Sequence, residues 1–128
     1  MITLEQGVEL VWHAFEDMQG GEIYVKKIPS MRILDIAKAV APEAEHEIIG
    51  IRPGEKIHEP MIGLEDAPHT YKYDSYIKIL PAINNWSSDP SRKNNETTVD
   101  EQFMYTSDNN SEGMLVEQLQ TWIEASRK

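Results

Sequence analysis

The chain has 128 residues, the length of one domain, with 40% hydrophobic and 27% charged residues, which argues against a wholly disordered, collagenous or membrane-spanning polypeptide. Twelve Lys and Arg stand against 22 Asp and Glu, a formal net charge of -10, so neither nucleic acid nor membrane insertion is expected, while a local basic site for an anionic ligand stays open. The absence of cysteine excludes disulfides, thiolate metal sites and cysteine nucleophiles.

In chain order, Leu4, Val8, Val11, Phe15 and Met18 recur on one face at helical spacing, with Trp12 flanking the stripe. Thr3 and Gln6 form a capping-box pattern at the start of this helix, and Gly20-Gly21 end it. Met1–Gln6 carries no basic stretch followed by an apolar one, so a cytoplasmic location is expected. Glu22–Val25 is short, β-branched and aromatic, and reads as a strand. A loop over Lys26–Ser30 follows, with Ser30 as N-cap of a helix running from Met31 to Val40, where Pro42 stops it.

Glu47–Ile51 reads as a second strand, delivering the chain into the turn Arg52-Pro53-Gly54-Glu55-Lys56. A short helix is expected over Ile57–Ile62, limited by Pro60 and Gly63. Thr70–Tyr73 and Tyr76–Leu80 read as a hairpin closed at Asp74-Ser75. Residues 84–100 are expected to form a long flexible loop, mobile or draped over the body. Phe103–Tyr105 is a short apolar island. Leu115, Leu119, Trp122 and Ile123 mark a last amphipathic helix, initiated near Asp108–Ser111. Together these elements predict one α/β domain over residues 1–128, with three main helices and short strands.

Several chemistries have no motif in this sequence. There is no Gly-x-Gly-x-x-Gly, no phosphate loop and no Tyr-x-x-x-Lys. His13, His46, His58 and His69 are scattered and read as surface or partly packed residues, so no metal site is expected. Acceptor triplets at Asn85, Asn95 and Asn109 read as accidents of composition. The turn at 52–56 has more to offer. Arg52 can grip a phosphate with a planar fork, Gly54 admits close approach of a ligand, and Glu55 can accept from two vicinal sugar hydroxyls. The same residues also read as a plain surface turn closed by an Arg–Glu ion pair.

Arg52-Pro53-Gly54-Glu55-Lys56-Ile57-His58-Glu59 resembles a segment of bacterial UDP-N-acetylglucosamine 4,6-dehydratases. These are extended short-chain dehydrogenase/reductase enzymes of surface-polysaccharide biosynthesis, including capsule and O-antigen. Ile2–Val8, Gly21–Met31, His69–Asp74 and Tyr105–Asn109 are similar to further blocks of that family, in the same order. The resemblance implies a C-terminal, substrate-side domain without a complete Rossmann sheet. It also implies a role in gripping a UDP-sugar, with Arg52 on the diphosphate, Glu55 on the ribose and Lys26 near the substrate. Pro53, Gly54, Lys56 and His58 would support the turn. No catalytic residue is assigned to this chain. The family's NAD(P), its Tyr-x-x-x-Lys and its acid/base groups would belong to an N-terminal half that this sequence does not include. The partners implied are the UDP-sugar and either that half or a homo-oligomer. The Ile23 strand would join the Rossmann sheet and, without it, lack neighbours. The alternative is a non-catalytic assembly or dimerisation module, or a relic of such an enzyme.

Overall fold

A computed structural model describes residues 1–83, 89–93 and 98–126. Its elements run in the order α1 (Leu4–Asp17), β1 (Ile23–Lys26), α2 (Ile33–Val40), β2 (Pro60–Ile62), β3 (Thr70–Lys72), β4 (Tyr76–Ile79), β5 (Tyr105–Thr106) and α3 (Val116–Ser126), with 3-10 turns at Leu64–His69 and Pro90–Arg92. Strands β1, β4 and β3 form one antiparallel sheet in that order, and β2 pairs with β5 in a second. Among the described residues the architecture is therefore a small α/β domain with three α-helices and no complete Rossmann sheet.

The two ends of α1 follow from four residues. The Thr3 hydroxyl accepts from the Gln6 amide at 3.2 Å, and the Gln6 side chain accepts from the Thr3 amide at 3.0 Å. Gly20 and Gly21 then turn the chain away at φ 124° and 81°, a region that favours glycine. The apolar line of α1 does not face the body. Leu4, Val11, Trp12 and Phe15 are all more than half exposed. The helix instead rests on the sheet through His13 and Asp17, whose neighbours are Tyr24 and Tyr76.

The sheet register is set by apolar pairs. Ile23 faces Ile79 and Val25 faces Ile77 across β1 and β4, and Thr70 faces Ile79 across β3 and β4. The expected hairpin forms, its turn closed by the Tyr73 amide on the Tyr76 carbonyl. All four residues of β4 are buried, and Val25, Ile62, Ile77, Ile79 and Tyr105 make a continuous core with Phe103 packed against it. Helix α2 packs on α3, with Ala39 and Leu119 buried.

Five expectations are corrected. The Ile23 strand does not lack a neighbour, because β4 returns to pair with it over all four residues. Ser30 is not the N-cap of α2. That position is Arg32, while the Ser30 backbone is taken by Glu112 and Met114 from the far end of the chain. Glu47–Ile51 does not form a strand: no described residue pairs with its backbone, Gly50 sits at φ 79°, and a lone strand is unstable in water. Ile57–Ile62 is not a helix. The Glu59 carbonyl accepts from the Ser107 amide at 3.1 Å, and Pro60, which has no N–H to give, opens strand β2 opposite Thr106. Finally, α3 begins at Val116 rather than near residue 108, because the Gln118 side chain accepts from the Leu115 amide at the helix entry. The loop expected over 84–100 lies mostly outside the described residues. Of it, Pro90–Arg92 is a 3-10 turn and Thr98 bridges Tyr71.

Candidate functional site

The turn at 52–55 is built by its two central residues. Pro53 fixes its own φ, Gly54 adopts φ 89°, and the Glu55 amide closes on the Arg52 carbonyl at 3.1 Å, the pattern of a type II turn. Across this turn the Glu55 carboxylate reaches back. One oxygen accepts from the Arg52 amide at 2.8 Å and the other from Arg52 Nε at 2.7 Å. Arg52 thus spends one guanidinium nitrogen on Glu55 and keeps its two terminal nitrogens, with the side chain 78% exposed. Each carboxylate oxygen retains a further lone pair. The planar fork can bind two oxygens of an anion, and the carboxylate a hydroxyl, without the pair first being taken apart.

The remaining predicted residues lie around this turn or away from it. Lys56 and His58 are exposed. His58 lies near Asp108, whose carboxyl sits below the usual range chiefly through the Thr106 hydroxyl, with His58 adding to the effect. The segment is anchored just beyond, where the Glu59 amide donates to Ser107 Oγ at 3.1 Å. Lys26 ends β1 opposite Tyr76, half-buried, and no hydrogen bond or ion pair joins it to Arg52 or Glu55. Its neighbour Lys27 donates to the carbonyls of Tyr73 and Asp74 and holds the hairpin turn.

Two cavities share Tyr105 of β5 and Asn110 in their lining. One, of about 240 Å³, is mostly apolar and lies between Ile28, Met31, Ile36 and Met61, with Glu59 and Ser107 at its rim. The other, of about 300 Å³, is lined by Lys27, Lys72, Phe103 and Asn109. Neither is lined by Arg52 or Glu55.

A second polar cluster was not anticipated from the sequence. Lys78, in the middle of β4, is 2% exposed and pairs with Asp17 at 2.7 Å. The Tyr24 hydroxyl donates to the same Asp17 oxygen at 2.6 Å, and the Lys78 ammonium lies 5.3 Å from the Tyr73 ring. Burial, and then this bond to Asp17, raise the Tyr24 hydroxyl far above the ordinary tyrosine range. Close by, Arg92 reaches Glu22 at 3.0 Å. The available signal was a lone lysine inside the apolar run Tyr76–Leu80, since a buried lysine needs a carboxylate. Lys78, Asp17 and Tyr24 brace α1 on the sheet, while Arg92 ties its 3-10 turn to the residue before β1. Among the described residues, no group of three or more His, Asp or Glu is placed to hold a metal, and no helix is long and apolar enough to cross a membrane.

Residues 1–81 match the family described as polysaccharide biosynthesis protein. Two proteins from Campylobacter jejuni strains, both named UDP-N-acetylglucosamine 4,6-dehydratase (inverting), are 46% and 45% identical over 115 and 114 residues. Each match takes in 85% of this chain and 34% of the relative, so the chain spans about a third of their length. A UDP-glucose 4-epimerase from Rickettsia canadensis is 32% identical over 83 residues, 62% of this chain and 24% of that protein. Among solved structures, Pen from Bacillus thuringiensis superposes on 99% of this chain and 37% of its own, with a TM-score of 0.75 and 23% identity, a likeness of fold.

Proposed function

This chain belongs to the polysaccharide biosynthesis protein family, and we propose that it supplies the uridine-diphosphate-binding surface of a nucleotide-sugar 4,6-dehydratase. The names of the two Campylobacter jejuni relatives support UDP-N-acetylglucosamine as the substrate. The observation that carries the reading is the Glu55 clamp on Arg52 Nε, which fixes the guanidinium plane and leaves its terminal fork open. The fork takes the diphosphate in a bidentate grip. Glu55 accepts from the ribose hydroxyls with its unused lone pairs. Pro53 and Gly54 hold the two groups a turn apart, and Lys56 and His58 support that turn. Lys26 is assigned a lesser contact.

In this reading the chain binds and orients, and the sugar chemistry occurs elsewhere in the enzyme. The nicotinamide cofactor, which takes up and returns the hydride of a 4,6-dehydration, belongs to the portion of the polypeptide outside this match. This sequence has no Gly-x-Gly-x-x-Gly to receive it. The working location is the cytoplasm, where nucleotide sugars are made.

Titration calorimetry with UDP tests the reading. The chain binds UDP, and Arg52→Ala weakens binding by about 10-fold or more, the loss of a charge-assisted pair of hydrogen bonds. Arg52→Lys also weakens it, because a point charge does not reproduce the fork. No binding by the chain, or equal affinity in Arg52→Ala, overturns the proposal. The exposed apolar line of α1 favours a second reading, an assembly module without a ligand. A concentration-dependent dimer in sedimentation, without UDP binding, selects it.

A further inference from the structure

We propose that residues 47–51 are an acceptor strand, completed by a strand from the portion of a dehydratase-length polypeptide that lies outside the region matched by this chain. The proposal rests on the functional reading above and adds to it a docking surface beside the binding turn.

The composition of the segment and its surroundings disagree. Glu47-Ile48-Ile49-Gly50-Ile51 has the β-branched content of a strand, yet no described residue pairs with its backbone. Ile48 is 88% exposed and Ile49 79%, with Ile51 and Ile57 also open to solvent. Unpaired backbone lined with isoleucine is a template on which an added strand can form a ladder. Gly50 at φ 79° permits a bulge, which would end regular pairing just before Arg52.

The occupant follows from length and charge. The segment lies inside the matched region, and the relatives that share it are about two and a half times as long as this chain, so most of their polypeptide is available to supply the strand. A second copy is the poorer partner. Each copy carries a net charge of -10, and the acidic run Glu43, Glu45 and Glu47 leads directly into the segment, so self-pairing would bring like charges together.

The pairing has a functional consequence. The ladder would end where the type II turn begins, so docking would fix the backbone on which Arg52 is mounted. UDP affinity then rises when the strand is in place.

Amide hydrogen exchange tests this on the isolated chain and on a chimera in which the chain replaces the matched 115 residues of the Campylobacter jejuni enzyme. Amides 47–51 exchange freely in the isolated chain and slow by about 100-fold in the chimera. Ile49→Pro removes a ladder donor and abolishes that protection, while the isolated chain carrying it melts as the parent does. If the chimera does not fold, the remainder of the relative is added to the chain in trans, with the same readout. Protection already present in the dilute isolated chain overturns the proposal. Protection that appears only as its concentration rises assigns the segment to a second copy and overturns it equally. Free exchange in the chimera or the mixture does so as well. UDP titration of the same chimera separates the two readings. A protected strand without UDP binding removes only the nucleotide role, and UDP binding beside an unprotected strand removes only this proposal.

Discussion

The same kind of contact, a cationic nitrogen 2.7 Å from a carboxylate oxygen, occurs at two places with opposite consequences. Lys78 and Asp17 meet between α1 and the sheet, with side-chain exposures of 2% and 18%. Arg52 and Glu55 meet across a surface turn, at 78% and 41%. In the first pair water cannot replace a lost partner, so the contact braces the fold. In the second, water and salt screen the attraction, so it adds little stability and stays accessible to a ligand. Distance alone does not separate a bracing pair from an accessible one; burial does.

The largest effect that sharpens this contrast is at Lys78. Lys78→Ala leaves the Asp17 carboxylate largely buried without its cation and lowers stability by about 3 kcal/mol in urea unfolding. A loss within 0.5 kcal/mol, the usual range for surface positions, would break the comparison.

Tyr24→Phe comes next. It removes the hydroxyl that donates to Asp17 and costs about 1.5 kcal/mol at neutral pH. It also changes the alkaline limb. The folded chain keeps the Tyr24 proton well above the pH, about 10, at which the unfolded chain releases it. The folded state therefore binds more protons there, and stability falls as pH rises past that value. A pH series of unfolding midpoints is flatter above pH about 10 in Tyr24→Phe than in the parent.

Thr3→Ala removes the hydroxyl half of the α1 capping box and costs about 1 kcal/mol, read from the same unfolding curves. The smallest effect is at the other pair. Arg52→Ala changes stability by less than about 0.5 kcal/mol while it lowers UDP affinity. If its unfolding loss matched that of Lys78→Ala, the turn would be part of the structural brace.

What the sequence makes legible is what its neighbours in the chain decide. The capping box at Thr3 and Gln6, the glycine stop after α1, the β3–β4 hairpin and the Pro53-Gly54 turn each depend on residues within a few positions of one another. Long-range choices were hidden. The partner of β1 lies some fifty residues on, and the residues that hold Ser30 lie more than eighty residues away. The conversion of Ile57–Ile62 from an expected helix to the strand β2 is of the same kind, since it depends on Thr106 and Ser107. At the candidate site, the residue types were readable, and so was a direct Arg52–Glu55 ion pair as one of two readings. Which guanidinium nitrogen Glu55 occupies was not, because that is set by the turn geometry.

The bend between β1 and α2 is fastened from the opposite end of the polypeptide. Tyr105 exchanges hydrogen bonds with the Ile28 amide and carbonyl, and the Asn110 side chain donates to that carbonyl and to Ser30 Oγ. During synthesis, therefore, the early bend lacks these four bonds until Tyr105 and Asn110 have left the ribosome. A stop codon introduced near position 100 would leave it loose, even though such a product retains every residue of the matched family region.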